Sequence, residues 1–416
     1  MKRFIYLLAA VAVTLLLNGC MGGAFDIGST APAPTNVRAI AGDSSVTLVW
    51  DTSPNHEYWL FAAPGTTVTT QNWDLIGGFA YPNVTSPYIA VNLTNGAPYA
   101  FTLNARTKGG PGGPGSSVVT ATPRLAGAAW NNNIALGNTD INATTYGGVF
   151  VAVGQQGTIY TSPDFNAYTA VSWTAQANPL ATPRPNLYAA IYGGAYVAAG
   201  AGGTLLYSTN ATTWTQQTTG TSNDLLGLAS NGSGGYVAVG RNGTILTSVG
   251  GQTWTLQSSG TSNDLYAISY GSGVWIAVGK SGALLTSVNA ISWTPVVSGT
   301  GADINGITYG AGVDATTGTV TPMFIAVGAA GNQLTSTDNG ATWRASTIGY
   351  GINTLNAVSF GRQFVTVGNN GSIYTSTDGS HWVQQTSGTT SNLYGIGHSI
   401  VNLSVVGAAG ANLSAL

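Results

Sequence analysis

The chain is expected to fold entirely from β-strands, as a small sandwich followed by a seven-bladed β-propeller closed by pairing its N- and C-terminal strands. Three observations predict this. First, the motif V-A-V-G-x-x-G recurs down the last two-thirds of the 416 residues, its first glycine falling at Gly154, Gly200, Gly240, Gly279, Gly328, Gly368 and, in a diverged copy, Gly407. The spacings are 46, 40, 39, 49, 40 and 39 residues. A period near forty, built of short apolar runs and glycine turns, is the signature of a propeller. Second, a tryptophan follows each of the first six copies, at Trp173, Trp214, Trp254, Trp293, Trp343 and Trp382. Third, no tryptophan follows the last copy, whereas Trp130 stands alone before the first. The N-terminal end thus supplies the piece the C-terminal end lacks, and closure of the ring leaves no open sheet edge.

Residues 264–293 show the grammar of one repeat. Asp264-Leu265 opens a strand that runs through Ile268 and Tyr270, and Gly271-Ser272-Gly273 turns it. Val274 to Val278 is a second strand, Gly279-Lys280-Ser281-Gly282 a second turn, and Ala283 to Ser287 a third strand. Trp293 to Val296 is the fourth. Strands of four to six residues between glycine-rich turns read as an antiparallel meander. One such unit cannot bury both faces, so neighbours must stack.

At the front, Lys2 and Arg3 precede an apolar run from Phe4 to Leu17, too short to span a bilayer comfortably, and then Leu17-Asn18-Gly19-Cys20. Cys20 is the single cysteine, so no intramolecular disulfide exists. The run resembles a bacterial lipobox. By that resemblance residues 1–19 are a signal peptide, Cys20 carries the lipid, and residues 20–32 form a linker. Met21, rather than Asp, follows the cysteine. In a Gram-negative source this implies the outer membrane, where the acyl chains anchor the protein because each buried CH₂ adds about 0.8 kcal/mol.

Residues 33–124 read as a separate module. Pro34 to Val37 and Ser45 to Asp51 suggest two strands, and Leu93, Tyr99, Phe101, Leu103 and Ala105 give L-x5-Y-x-F-x-L-x-A. This resembles a fibronectin type III sandwich, with Trp50 as the core tryptophan and Tyr99 as the tyrosine-corner residue. The loop K-G-G-P-G-G-P-G, Lys108 to Gly115, is expected to be a flexible, solvated hairpin tip.

Over residues 126–416 the turn before each tryptophan resembles the Asp-box, S-x-D-x-G-x-x-W. Ser336 to Trp343 matches it, and Ser376 to Trp382 is one residue shorter. The copies at Ser208, Ser248 and Ser287 carry Asn210, Gly250 and Asn289 at the Asp position, and Ser162-Pro163-Asp164 begins an interrupted copy. Such BNR/Asp-box repeats occur in sialidases and in propellers of photosystem II assembly-factor type. The resemblance implies that Asp164, Asp338 and Asp378 brace turns remote from any active face, through bonds from nearby backbone N–H groups.

Composition narrows the function. Only 6% of residues are charged and the net charge is −2, so no basic surface exists to bind nucleic acid through its phosphates. The one glutamate, Glu57, lies in the front module. Sialidases need an arginine triad, a tyrosine nucleophile and a glutamate, and the propeller offers only Arg184, Arg241, Arg344 and Arg362, with at most Arg184 and Arg241 on the face away from the Asp-boxes. His56, His381 and His398 are scattered and no cluster has metal-ligand spacing, so neither metal nor cofactor is expected. A non-catalytic monomer is expected, binding a protein or glycan; the other readings are an assembly factor for another envelope protein and, in a different class, a hydrolase or lyase built on two aspartates.

The candidate site lies on the face that gathers the turns between second and third strands. Its charged turn residues, Arg241 and Lys280, fall on adjacent blades, and Asp224, Asp264 and Asp303 precede innermost strands beside them. Two roles for these aspartates are compatible. They accept hydrogen bonds from a partner, or they cap the loops that lead into their strands.

Overall fold

The computed structural model describes residues 28–164, 171–314, 317–349, 353–399 and 402–415. Cys20, the signal segment and the first part of the linker lie outside the described residues. Nine antiparallel sheets account for the strands.

Two sheets form the front module. Arg38–Gly42, Ser45–Val49 and Tyr88–Val91 make one. Phe79–Val84, Glu57–Pro64, Tyr99–Arg106 and Val119–Ala121 make the other, in that spatial order. Alternate residues of both meet in one core containing Val46, Leu48, Trp50, Leu60, Phe101 and Leu103. The Tyr99 hydroxyl accepts from Thr94 N–H at 3.2 Å. The first strand begins later than the sequence suggests. Asn36 takes a left-handed φ of 53° and its Nδ2 donates to Asp51 Oδ2 at 2.7 Å, which ends pairing before Arg38.

The loop from Lys108 to Gly115 is exposed at six of its eight residues but is tied down at two. Gly110 and Gly113 are buried, and Gly113 N–H donates to Ala105 O at 2.9 Å. A Cβ at Gly110 or Gly113 would sit within about 2 Å of Gly28 or Ala31 backbone. The expected linker therefore packs: Ala31 N–H bonds Ala105 O, and Ala31 is part of the module core.

Beyond residue 124 the described residues form seven four-stranded sheets. Their first strands are Ile141–Tyr146, Leu187–Tyr192, Leu225–Ser230, Leu265–Gly271, Ile304–Val313, Leu355–Phe360 and Leu393–His398, called sheets 1 to 7 here. Each first strand packs beside the next, and the last packs beside the first. In sheet 4 the strands are Leu265–Gly271, Val274–Gly279, Leu284–Ser287 and Thr294–Pro295, so Trp293 precedes its strand rather than starting it. Sheet 7 takes its fourth strand from the other end of the chain: Asn131–Asn132 pairs Leu413 with Asn132 and Ser414 with Asn131. Second strands are buried on both sides because each lies between sheets, which is why they read as unbroken V-A-V runs rather than alternating ones.

Glycines in or just after the first strands let aromatic rings overlap from sheet to sheet. A Cβ at Gly147 would lie 2.2 Å from the Tyr192 ring, one at Gly271 2.0 Å from Tyr309, and one at Gly310 2.3 Å from Phe360. Tyr192 and Tyr309 line the mouth of the central channel on one face, hereafter the lower face, where a cavity of about 540 Å³ is also bounded by Tyr146, Tyr270 and His398.

Candidate functional site

The recurrent motif builds the opposite, upper face one turn at a time. Its first glycine is extended, not left-handed: Gly240 has φ −166°. Glycine is needed there for space. A Cβ at Gly240 would lie 2.0 Å from Asp224 O, and the six equivalent glycines are equally tight against residues 140, 186, 264, 303, 354 and 392. That close approach lets Arg241 N–H donate to Asp224 O at 2.9 Å, as Lys280 N–H does to Asp264 O. The next residue is left-handed, Asn242 at φ 55° and Ser281 at φ 54°. The second glycine of the motif is left-handed too, Gly243 at φ 66°, and a Cβ on it would meet Thr261 O at 2.0 Å.

The left-handed residue aims its N–H at the neighbouring sheet, and there the acidic and amide side chains meet it. Gly202 N–H donates to Asp224 Oδ1 at 2.9 Å, Asn242 N–H to Asp264 Oδ1 at 2.9 Å, and Ser281 N–H to Asp303 Oδ1 at 2.8 Å. Asn186 and Asn392 accept in the same way from Gln156 and Asn370. Asp140 accepts from Ala409 at 3.0 Å, across the junction of the two chain ends. At the seventh boundary Thr354 stands in the acceptor position, and among the described residues no such bond reaches it from Ala330. Each of these side chains therefore clasps two sheets together, while its own carbonyl holds its own turn. Simple capping of the loop leading into the strand is not what they do. Asparagines lower in the channel wall repeat the device, with Asn142, Asn305 and Asn356 donating to carbonyls of Leu187, Leu355 and Leu393.

Asp224 and Asp264 also share Arg241. Its Nε lies 3.0 Å from Asp224 Oδ2 and its Nη1 3.4 Å from Asp264 Oδ2, with the side chain 53% exposed. The bond to Asp224 raises the guanidinium pKa further. Tyr266 also meets the Asp303 carboxylate; burial first, then the Asp303 charge, pushes the Tyr266 phenol up. Lys280 is exposed and has no ion pair among the described residues. The structure thus brings Arg241, Asp224 and Asp264 into one network. Asp303 and Lys280 stand beside it, and Lys280 is directed to solvent. Exposed pairs of this kind add about 0–1 kcal/mol to stability.

Asp338 and Asp378 do brace their own turns. Asp338 accepts from Ser336 Oγ, Thr342 N–H and Thr342 Oγ1, the last at 2.6 Å, and these bonds lower its pKa to about 2. Burial would raise the Asp378 carboxyl, but bonds from His381 Nδ1, His381 N–H, Ser380 N–H and Ser376 Oγ outweigh it and hold it well below the carboxylate range. Asn210 and Asn289 do the same work uncharged, each accepting two backbone N–H groups. Asp164 also accepts from Ser399 Oγ at 3.1 Å and Asn402 Nδ2 at 2.6 Å, joining sheet 1 to its neighbour, sheet 7, on the lower face; the rest of its own turn lies outside the described residues.

With this geometry established, comparison with solved structures places the fold. It is a β-propeller. YCF48 bound to D1 peptide superposes with a TM-score of 0.54 at 16% identity, over 69% of this chain and 94% of that one. YCF48 from Cyanidioschyzon merolae superposes with a TM-score of 0.54 at 19% identity, over 69% and 99%. At such identity the likeness is one of fold. No protein-family model matches the sequence, and no curated protein does.

Proposed function

We propose that this chain is a non-catalytic, lipid-anchored envelope protein whose propeller binds a polypeptide partner through the upper face around Arg241 and Lys280. The observation that carries the reading is how the charges there are used. The carboxylates are committed to the clasps and to Arg241, which fixes the surface, while Lys280 and half of Arg241 stay open to solvent. Preorganised groups of this kind bind with little ordering cost. The chain from Ala126 and the module turn at Asp43 meet the lower face, at Gln363 and Arg362, which leaves the upper face uncovered by the module.

In this reading the seven sheets are seven blades of a closed ring, and residues 33–124 are a fibronectin type III module that holds the disc away from the membrane. Acylation at Cys20 ties it to the outer membrane, and the protein works as a monomer. Cell-surface capture of a protein or glycan and assistance to another envelope protein during maturation both suit a rigid binding face. The peptide bound to one solved propeller of this fold favours a protein partner over a glycan.

A photo-crosslinking residue placed at Ser281, in the native host, tests this against the same residue at Thr337 on the lower rim; both positions are exposed. A discrete protein adduct at Ser281, absent at Thr337, is the expected result. Equal labelling at both, or none at Ser281, would overturn the reading.

A further inference from the structure

On the lower face a cavity of about 370 Å³ lies between the front module and sheets 6 and 7. Such a volume is within the range of small-molecule sites, which favour junctions between domains. Ala126, Val365 and Leu403 give it an apolar wall, and Asp43, Arg362 and His398 face it.

The polar groups are incompletely satisfied. Asp43 is 3% exposed; its Oδ1 accepts from Asn95 Nδ2 at 2.8 Å and Ser44 Oγ at 3.2 Å. Among the described residues no hydrogen bond reaches its Oδ2, which forms a loose ion pair with Arg362 Nε at 3.8 Å. The rest of the Arg362 guanidinium has no hydrogen-bond partner among the described residues, so its planar fork is open to a carboxylate. Ser359 Oγ lies 3.0 Å from His398 Nδ1, burial lowers the imidazole pKa, and among the described residues Nε2 has no hydrogen-bond partner. A ligand that supplies a cationic donor to Asp43, an anionic acceptor to Arg362 and an aliphatic group to the apolar wall would complement both charged side chains and the wall.

We propose that this cavity binds a free α-amino acid with an aliphatic side chain, its ammonium on Asp43 and its carboxylate on Arg362. The two charges of an α-amino acid are held as close together as these two side chains require, and Ala126, Val365 and Leu403 contact its side chain. The site faces away from Arg241 and Lys280 and does not depend on the partner proposed for them.

Calorimetric titration of the full chain with leucine, leucinamide and N-acetylleucine tests it. Leucine is expected to bind saturably, and each derivative, lacking one charge, at least about tenfold more weakly. Arg362→Gln should abolish the preference for leucine over leucinamide, whereas Arg344→Gln, at an exposed arginine outside both sites, should leave it intact. Asp43→Asn should abolish the preference over N-acetylleucine; because Asp43 also holds Ser44 and Asn95, the half-exposed Arg362 provides the variant that keeps its fold. Absence of saturable leucine binding, leucinamide binding as tight as leucine, or an Arg362→Gln protein that still prefers leucine would each overturn the proposal.

Discussion

The ring-closing clasp at Asp140 gives a prediction that can be worked through. Asp140 Oδ1 accepts from Ala409 N–H at 3.0 Å and its Oδ2 from Gln155 Nε2 at 3.0 Å. Asp140→Ala removes both bonds. A hydrogen bond to a charged group is worth about 1.5–3 kcal/mol net. Ala409 is exposed, so water takes over its N–H and the lower end applies. The expected loss for the two bonds is about 3 kcal/mol, or about 6–12 °C in the propeller's melting midpoint. Asp140→Asn keeps the oxygen that faces Ala409, as Asn186 and Asn392 do at their own boundaries, and should cost no more than about 0.5 kcal/mol. Urea unfolding followed by tryptophan fluorescence, with calorimetry alongside, measures both. An Asp140→Ala protein within about 0.3 kcal/mol of the native one, or an Asp140→Asn protein as weak as Asp140→Ala, would refute the clasp as a source of stability.

Other predictions use the same geometry. Thr354→Asp should create the clasp missing at the seventh boundary and raise stability by about 1 kcal/mol in the same assay. Gly240→Ala, with its Cβ 2.0 Å from Asp224 O, should cost about 3 kcal/mol or more, whereas Gly202→Ala, left-handed but in open space, should cost about 1–2; paired urea curves separate them. Asp338, lowered from 3.8 to about 2, contributes stability that is present above pH 3.8 and lost as pH falls through about 2, and carboxyl NMR titration of native and Thr342→Ala protein should show its pKa rise in the variant. His381 is raised by its bond to Asp378, so that pair stabilises below pH 6.5 and fades as pH climbs through the raised value; Asp378→Asn should bring the imidazole pKa down in a histidine NMR titration.

Much of the architecture was legible because a repeat announces itself in every copy. Gly-x-x-Gly marks one turn, and the tryptophan marks the approach to each fourth strand. The missing last tryptophan and the stray Trp130 foretold that Asn131–Asn132 would pair beside Asn412–Ala415. The turn-bracing role of Asp338 and Asp378 was readable for the same reason, since all its partners lie within a few residues. Contacts between units were not readable. Asp224 looks like a cap because its own loop is all the sequence displays; its partner, Gly202, belongs to the previous repeat. A hint existed in the Asp or Asn that precedes six of the seven innermost strands, since such regularity serves a regular partner. Asp164, whose turn continues outside the described residues, also reaches residues 235 and 238 positions away, a contact no local pattern shows. The loop from Lys108 to Gly115 looked flexible because its glycines suggest freedom, whereas here they provide room for the backbone of residues 28–31. The cavity at Asp43 and Arg362 depends on two modules meeting, which no local pattern encodes.

The central claim, that the upper face binds a polypeptide, is tested most directly by affinity. Once a crosslinked partner is identified, its binding to the native chain should be compared with an Arg241→Ala/Lys280→Ala double variant and with Thr337→Ala on the lower rim. The account predicts a loss of at least about tenfold for the folded double variant, equivalent to ~1.4 kcal/mol, and none for Thr337→Ala. Unchanged binding by a folded double variant would contradict it.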